Sequence, residues 1–174
     1  FTLEILECSS SGNISTTVNL GGGGITGYRA FQEIENATIT MSDCYSNGII
    51  NANAGGIFGQ QSFQEMVNGR IFIFNCYSTG NISGQNSGGI FGIFGCYQMS
   101  GGSINVSGCY STGDLSGDFS GGIFGNRGGY KMSGGDITVF VCYSTGKVEG
   151  IESGGIFGYG GGYEMSDGDI IVSN

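Results

Sequence analysis

The pentapeptide Cys-Tyr-Ser-Thr-Gly occurs three times in the sequence, at residues 76–80, 109–113 and 142–146. Looser copies begin at Cys8 and Cys44, and the five copies start 36, 32, 33 and 33 residues apart. A regular spacing of roughly 20–50 residues is the signature of stacked structural repeats. We therefore predict one repeat domain spanning residues 1–174. Its coil units are 8–43, 44–75, 76–108, 109–141 and 142–174, and residues 1–7 are the closing strand of a preceding coil.

Two further blocks recur with the same spacing. Gly-Gly-Ile-Phe-Gly stands at 55–59, 88–92, 121–125 and 154–158, and residues 23–27 are its degenerate first copy. In the other block apolar and polar residues alternate, as in residues 136–139, which is typical of a half-buried strand. Glycines separate the blocks and disfavour helices.

Alignment of the units brings apolar residues into columns. Two of these columns are Leu3, Ile39, Ile71, Ile104, Ile137 and Ile170, and Ile5, Met41, Ile73, Val106, Val139 and Val172. They predict an all-β parallel β-solenoid of about five coils of ~33 residues, with about three strands of ~5–6 residues per coil. A propeller is disfavoured because one blade needs ~40–45 residues. The residues expected to be buried are Ile90, Ile104, Ile123 and Ile137, and those expected to point outward are Asn105 and Thr138.

The composition argues against several functions. The sequence has 38 Gly, no His and a formal net charge of −9. Without His, neither a Ser-His-Asp or Cys-His nucleophile system nor a His-based metal site can be built, and five cationic side chains are too few for a nucleic-acid binder. No apolar run approaches the ~18 residues of a membrane span, so no membrane insertion is expected. No catalytic residue, cofactor or metal site is predicted.

The Gly-rich segments and the carboxylates are interpreted as structural. The segments lack the Lys-Ser/Thr ending and the helix of a phosphate-binding loop, so they are expected to be turns and close-packed corners. The carboxylates are scattered, whereas a glycosidase needs a close pair, and the nonapeptide of calcium β-rolls is absent. The carboxylates expected to be solvated surface groups include Glu33, Glu65, Glu164, Asp136 and Asp169.

The pairing of Gly-Gly-Ile-Phe-Gly with Cys-Tyr-Ser-Thr-Gly-Asn-Ile-Ser-Gly at 76–84 resembles the GLUG repeat family, whose repeats carry Gly-Gly-Leu-Val-Gly and Asn-Cys-Tyr-Ala-Thr-Gly-like segments. The resemblance covers essentially the whole chain. The first unit departs from it, with Thr26 in place of the Phe and Ser9 in place of the Tyr. GLUG repeats occur in large secreted or surface-attached proteins, often adhesin-like or flanking a separate catalytic domain. The resemblance therefore implies an extracellular structural or adhesive part without an active site.

The cysteine column has two interpretations. Its members are Cys8, Cys44, Cys76, Cys109 and Cys142. Stacked Cα atoms ~4.8 Å apart fall within the usual disulfide range, so bridges between coils are one interpretation. Neighbouring parallel side chains seldom reach the required dihedral angle, and a column of buried thiols is therefore favoured. Cys96 lies outside the column and is expected to fill a gap.

Four Asn-x-Ser/Thr sequons are candidate N-glycosylation sites, at Asn13, Asn36, Asn81 and Asn105. Asn81 and Asn105 are expected to face outward because they adjoin inward-pointing apolar residues. If the source is a eukaryote, we expect sugar on these two, whereas in a bacterium the sequons carry no meaning.

Two aromatic columns differ in their expected surroundings. Tyr77, Tyr110 and Tyr143 are expected to face outward together with Thr79, Thr112 and Thr145. A Thr array on a β-solenoid is similar to an ice-binding face, although Ser11 and Asn47 interrupt this one. The column Phe58, Phe91, Phe124 and Phe157 either fills a corner of the core, which is favoured, or forms an exposed apolar stripe.

The favoured function is a non-enzymatic building block of an extracellular fibre or surface appendage. Both end coils present apolar strand edges without a polar cap, so copies of the chain are expected to associate end to end. The alternative is an adhesin stalk or binding module that recognises carbohydrate or protein. Ice binding and an enzyme built on a β-helix rank behind these, the latter because no catalytic constellation is found. The chain begins in mid-pattern and is interpreted as a processed product or an excised piece.

Overall fold

The chain forms a parallel β-solenoid of about five coils, which confirms the predicted fold class. The structure is a computed structural model that describes residues 1–15 and 20–174. The strands in chain order are β1 (Thr2–Leu6), β2 (Ser9–Ser10), β3 (Thr38–Ser42), β4 (Tyr45–Ser46), β5 (Arg70–Phe74), β6 (Tyr77–Ser78), β7 (Ser103–Ser107), β8 (Tyr110–Ser111), β9 (Asp136–Phe140), β10 (Tyr143–Ser144) and β11 (Ile170–Ser173). Among these described residues there is no helix long and apolar enough to cross a membrane.

Equivalent strands of successive coils pair in parallel and in register. The five-residue strands form one sheet in the order β1-β3-β5-β7-β9-β11, and the two-residue strands form a second sheet in the order β2-β4-β6-β8-β10. Ile104, for example, lies opposite Ile71 on one side and Ile137 on the other. Each residue therefore stacks on the residue one repeat away in sequence, which turns the repeat columns into ladders.

The predicted strand lengths are wrong in detail. Within the described residues, each coil holds one five-residue strand (four in β11) and one two-residue strand instead of three strands of similar length. Single-residue bridges, such as Ile82–Leu115 and Phe91–Phe124, complete the contacts between coils. The physical cause is the number of corners, many of them formed by residues with positive φ. One such column comprises Glu7, Asp43, Asn75, Gly108 and Val141, with φ between 51° and 61°.

The apolar ladders fill the interior. Ile90, Ile104, Ile123 and Ile137 are fully buried, as predicted. The Phe column also fills the core, because Phe58, Phe91 and Phe124 are completely buried and the rings of Phe91 and Phe124 stack with centroids 4.4 Å apart. The favoured corner interpretation of this column is therefore confirmed.

The core consists of two parts of different size. The larger part contains the Ile, Val, Met, Cys and Phe ladders, and the smaller part contains Ile14, Ile50, Ala54, Ile82 and Leu115. Glycines make the close-packed positions between segments, as predicted: a methyl group on Gly88 would overlap the carbonyl oxygen of Phe91. Larger side chains at such positions would push the segments apart.

Candidate functional site

Four tyrosines form a stacked ladder along β4, β6, β8 and β10. The ring centroids of consecutive members, Tyr45, Tyr77, Tyr110 and Tyr143, are 5.0, 4.8 and 5.1 Å apart, and the ring planes are parallel within 5°. Because neighbouring rings cover one another's faces, the ladder presents ring edges rather than faces outward. The adjoining column of Thr79, Thr112 and Thr145 is exposed, as expected.

A second aromatic cluster surrounds Arg127. Its guanidinium carbon lies 5.1 Å from the ring centroid of Tyr130, 5.7 Å from that of Tyr163 and 5.9 Å from that of Phe94. The four residues come from three successive coils. The sequence analysis missed this cluster, although the shared column of Tyr97, Tyr130 and Tyr163 was a signal for it. Tyr and Arg are enriched at protein interfaces, so the cluster is a candidate contact surface.

The six cysteines are free thiols in the structure. In the column, Cys44, Cys76 and Cys109 are buried, whereas Cys8 and Cys142 in the end coils are half-buried, and Cys96 is buried outside the column. The thiols of Cys44, Cys76, Cys109 and Cys142 each donate to the carbonyl oxygen two residues earlier, at 3.2 to 3.4 Å. The preference for thiols over bridges between coils stays a prediction.

Burial and mutual contacts set the acidity of the thiols. Burial raises the pKa of Cys44 to about 11 and also raises the pKa of Cys96. Hydrogen bonds to Cys142 and Cys76 raise the pKa of Cys109, and the same bonds lower the pKa of Cys76 and Cys142. Since the thiolate is the reactive form, Cys44, Cys96 and Cys109 are poor nucleophiles near neutral pH.

The four sequon asparagines lie at the surface in different surroundings. Asn13, Asn36 and Asn81 are exposed, and Asn105 is half-buried on the outer face of β7. The Oδ1 atoms of Asn13 and Asn81 accept backbone N–H groups of the next coil, from Ile49 at 3.1 Å and Asp114 at 3.2 Å. These bonds leave the Nδ2 atom, where a glycan would be attached, free for modification. Occupancy of the sites stays a prediction.

Two grooves lie beside sequon residues. Asn36 lines a polar groove of about 530 Å³ together with Asn68 and Arg70. An apolar groove of about 350 Å³, here called the Phe groove, crosses the outer face of β5, β7 and β9. Its lining consists of Phe72, Phe74, Asn105, Val106, Ser107, Thr138 and Phe140. The sequence analysis missed it, although the aligned column Phe74, Ser107 and Phe140 was a signal.

The carboxylates singled out in the sequence are all exposed, as expected. Several of these carboxylates form ion pairs or hydrogen bonds with neighbouring residues. Lys131 forms an ion pair with Glu164 at 3.6 Å, and the backbone N–H of Asp169 donates to the Asp136 carboxylate at 3.0 Å. Within residues 1–15 and 20–174 no group of three or more His, Cys, Asp or Glu side chains is arranged to hold a metal ion.

No protein-family model, curated protein or solved structure matches this chain. The functional interpretation therefore rests on the side chains described above.

Proposed function

We propose that this chain is a structural repeat module of an extracellular fibre or surface appendage. The observation that carries the proposal is the use of outer polar side chains to join successive coils. Asn86 donates to Oδ1 of Asn53 at 3.0 Å, and Asn126 donates to Oδ1 of Asn86 at 2.7 Å. Asn75 donates in the same way to Asp43 of the preceding coil, at 3.2 Å.

The aromatic ladders serve the same purpose. The Tyr ladder on the outside and the Phe ladder on the inside both run parallel to the solenoid axis through consecutive coils. Such contacts resist shearing of one coil over the next, because a shift breaks the Tyr contact and the Phe contact between those two coils together. A rod with this interior is suited to bearing load rather than to enclosing a substrate.

The end coils support association of copies. Val148 and Val172 belong to inward-pointing columns, yet they are 46% and 53% exposed in the last of the described coils. β1 and β11 are the edge strands of the larger sheet. Unpaired strand edges beside apolar side chains template further strands. We propose that these edges pair with coils of a second copy, which extends the rod along its axis.

Several sequence features favour an extracellular location. The resemblance of the sequence to GLUG repeats implies a secreted or surface-attached protein, and all four sequons are at the surface of the solenoid. N-glycans are therefore part of the proposal, as solubilising groups on the rod.

An adhesin stalk with a binding face is the second candidate. It is favoured by the Arg127 cluster, where a guanidinium lies over the rings of Phe94, Tyr130 and Tyr163 at the surface. A cluster of this composition is typical of a contact with another molecule.

Electron microscopy of the purified full chain separates the two candidates. A structural module gives filaments of uniform width, many times longer than the ~24 Å of five coils at ~4.8 Å each. A population of separate short rods over the same range of protein concentration supports the binding module and contradicts the proposal.

A further inference from the structure

The Phe groove is an apolar depression on the outer face of the larger sheet. Phe140 is 48% exposed, and Phe72 and Phe74 are half-buried with ring centroids 6.0 Å apart. The volume of about 350 Å³ is at the lower end of the ~300–1,000 Å³ that is usual for small-molecule sites. The groove is therefore of the size that accepts a single ring.

The in-register pairing places small polar residues between the aromatic ones. Ser107 lies between Phe74 on β5 and Phe140 on β9, so these two rings are two coils apart with a gap above the serine. Asn105 lies between Phe72 and Thr138 in the adjacent column. A ring seated above Ser107 would stand about one coil spacing, ~4.8 Å, from each neighbouring Phe.

The residues at the floor of the gap form a sequon, Asn105-Val106-Ser107. The Asn105 Nδ2 atom has a long hydrogen bond of 3.4 Å to the Oγ of Ser103 on its own strand. Because this hydrogen bond is long, losing it when the amide is modified costs little free energy. A sugar on Nδ2 would start directly beside the gap.

We propose that Asn105 carries an N-glycan whose first N-acetylglucosamine packs into the Phe groove. The N-glycosidic bond forms when Nδ2 displaces the diphosphate of a lipid-linked oligosaccharide donor from the anomeric carbon and loses one proton. The apolar C–H face of the pyranose ring covers the Phe rings, while its hydroxyl groups remain in water or reach Thr138 and Ser107. The sugar thereby covers exposed apolar surface and stabilises the packing of three successive coils.

Asn105 differs in this respect from the other three sequon residues. Asn36 borders a groove with Asn68 and Arg70, and Asn13 and Asn81 are exposed and accept backbone N–H groups of the next coil. Sugars on these residues would extend into solvent. Only the glycan on Asn105 is therefore expected to change the stability of the fold by direct packing.

The inference rests on the extracellular location in the proposed function. The test therefore directs the protein through the secretory pathway of a eukaryotic cell, where N-glycans are added. The full chain is produced with a secretion leader in eukaryotic cells, and glycopeptide mass spectrometry locates the sugars. Asn105 is expected to be occupied. For stability measurements, Asn13→Gln, Asn36→Gln and Asn81→Gln leave one sequon, and an endoglycosidase trims its glycan to the first sugar.

Unfolding by urea then compares this single-sugar chain with the same chain made in bacteria. The sugar is expected to increase the folding equilibrium constant roughly two- to tenfold, the size of one aromatic packing contact. The control is the same chain with Phe74→Ser and Phe140→Ser, again measured with and without the sugar. Serine is tolerated at this column, as Ser42, Ser107 and Ser173 show. In this background the sugar should have no effect.

Three results would overturn the inference. One is an unmodified Asn105 in the secreted chain. Another is an equal gain from the sugar in both backgrounds, which assigns the effect to the glycan alone. The third is self-association of the sugar-free chain that Phe74→Ser and Phe140→Ser abolish, which makes a second copy the occupant of the groove. The first two results do not bear on filament formation, so the proposed function is judged separately. The third result would also contradict association through the end coils, because it moves the contact between copies to the side of the rod.

Discussion

The buried hydroxyl of Ser78 packs against the backbone of Gly56, where an added methyl group would approach the Ser78 Oγ to 2.9 Å. The same arrangement recurs one coil later, between Ser111 and Gly89. Among the described residues, neither serine's Oγ atom has a hydrogen-bond partner. The coil is so narrow here that only glycine fits opposite serine, and the serine column carries an uncompensated polar group.

Ser78→Ala is therefore expected to leave the protein equally stable or more stable. Removing an unpaired buried hydroxyl recovers up to ~1–3 kcal/mol of desolvation cost, less a small loss of packing. Urea unfolding of the variant measures the change. The matched Gly56→Ala variant should be strongly destabilised, because its methyl group also overlaps the carbonyl oxygen of Gly89. A loss of more than ~1 kcal/mol in Ser78→Ala would show that the hydroxyl has a partner.

Ile137→Asp and Thr138→Asp place the same charge on opposite faces of β9. Ile137 is fully buried in a ladder, so an aspartate there is expected to cost more than ~4 kcal/mol and to unfold the neighbouring coils. Thr138 lies on the outer face, where the change should be within ~0.5 kcal/mol. Circular dichroism during urea unfolding gives both values. Similar losses in the two variants would contradict the assignment of faces.

Val141 occupies a corner position that disfavours its side chain. Its φ is 51°, while the equivalent residues of earlier coils are Glu7, Asp43, Asn75 and Gly108, of which the last three adopt this conformation more easily. Val141→Asn is expected to stabilise the fold by ~1 kcal/mol, and Val141→Thr, which keeps the branched Cβ, should change little. Thermal unfolding of both variants provides the comparison. An Asn variant no more stable than the Thr variant would rule out backbone strain at this corner.

The ladders of the fold could be predicted from the sequence, because a fixed period and alternating polarity determine which residues stack. Ile104 and Phe91 are examples, since each lies one repeat from an equivalent residue. The corners could not be predicted in this way. A positive φ at Val141 leaves no trace in polarity, and its residue type argues against it.

The candidate sites were predictable only in part. The sequon at Asn105 is a local motif that the sequence displays directly. The Phe groove depends on which residue of the neighbouring coil lies opposite Ser107, and hence on the register of three strands together. The Arg127 cluster likewise forms across three coils, so single-unit reasoning did not reveal it.

Stability is expected to fall at alkaline pH. Burial raises the pKa of Cys44 from 9.0 to about 11 in the folded state. The folded state therefore disfavours the thiolate, so the contribution of this group is fully present below pH 9 and is lost as the pH rises toward about 11. Urea unfolding at a series of pH values measures the slope, which Cys44→Ala should reduce. An unchanged slope in that variant would assign the alkaline loss to other groups.

End-to-end stacking of coils is the central claim, and sedimentation velocity of three matched chains tests it most directly. Val172 and Ile171 are neighbours on β11 with similar exposure, 53% and 49%, but Val172 belongs to the inward column and Ile171 to the outer one. Val172→Lys therefore places a charge where the next coil would pack, whereas Ile171→Lys adds the same charge to the side of the rod. The account predicts that the parent chain and Ile171→Lys form assemblies that grow with protein concentration, while Val172→Lys remains monomeric. A parent chain that stays monomeric at micromolar concentration, or equal association of the two lysine variants, would contradict it.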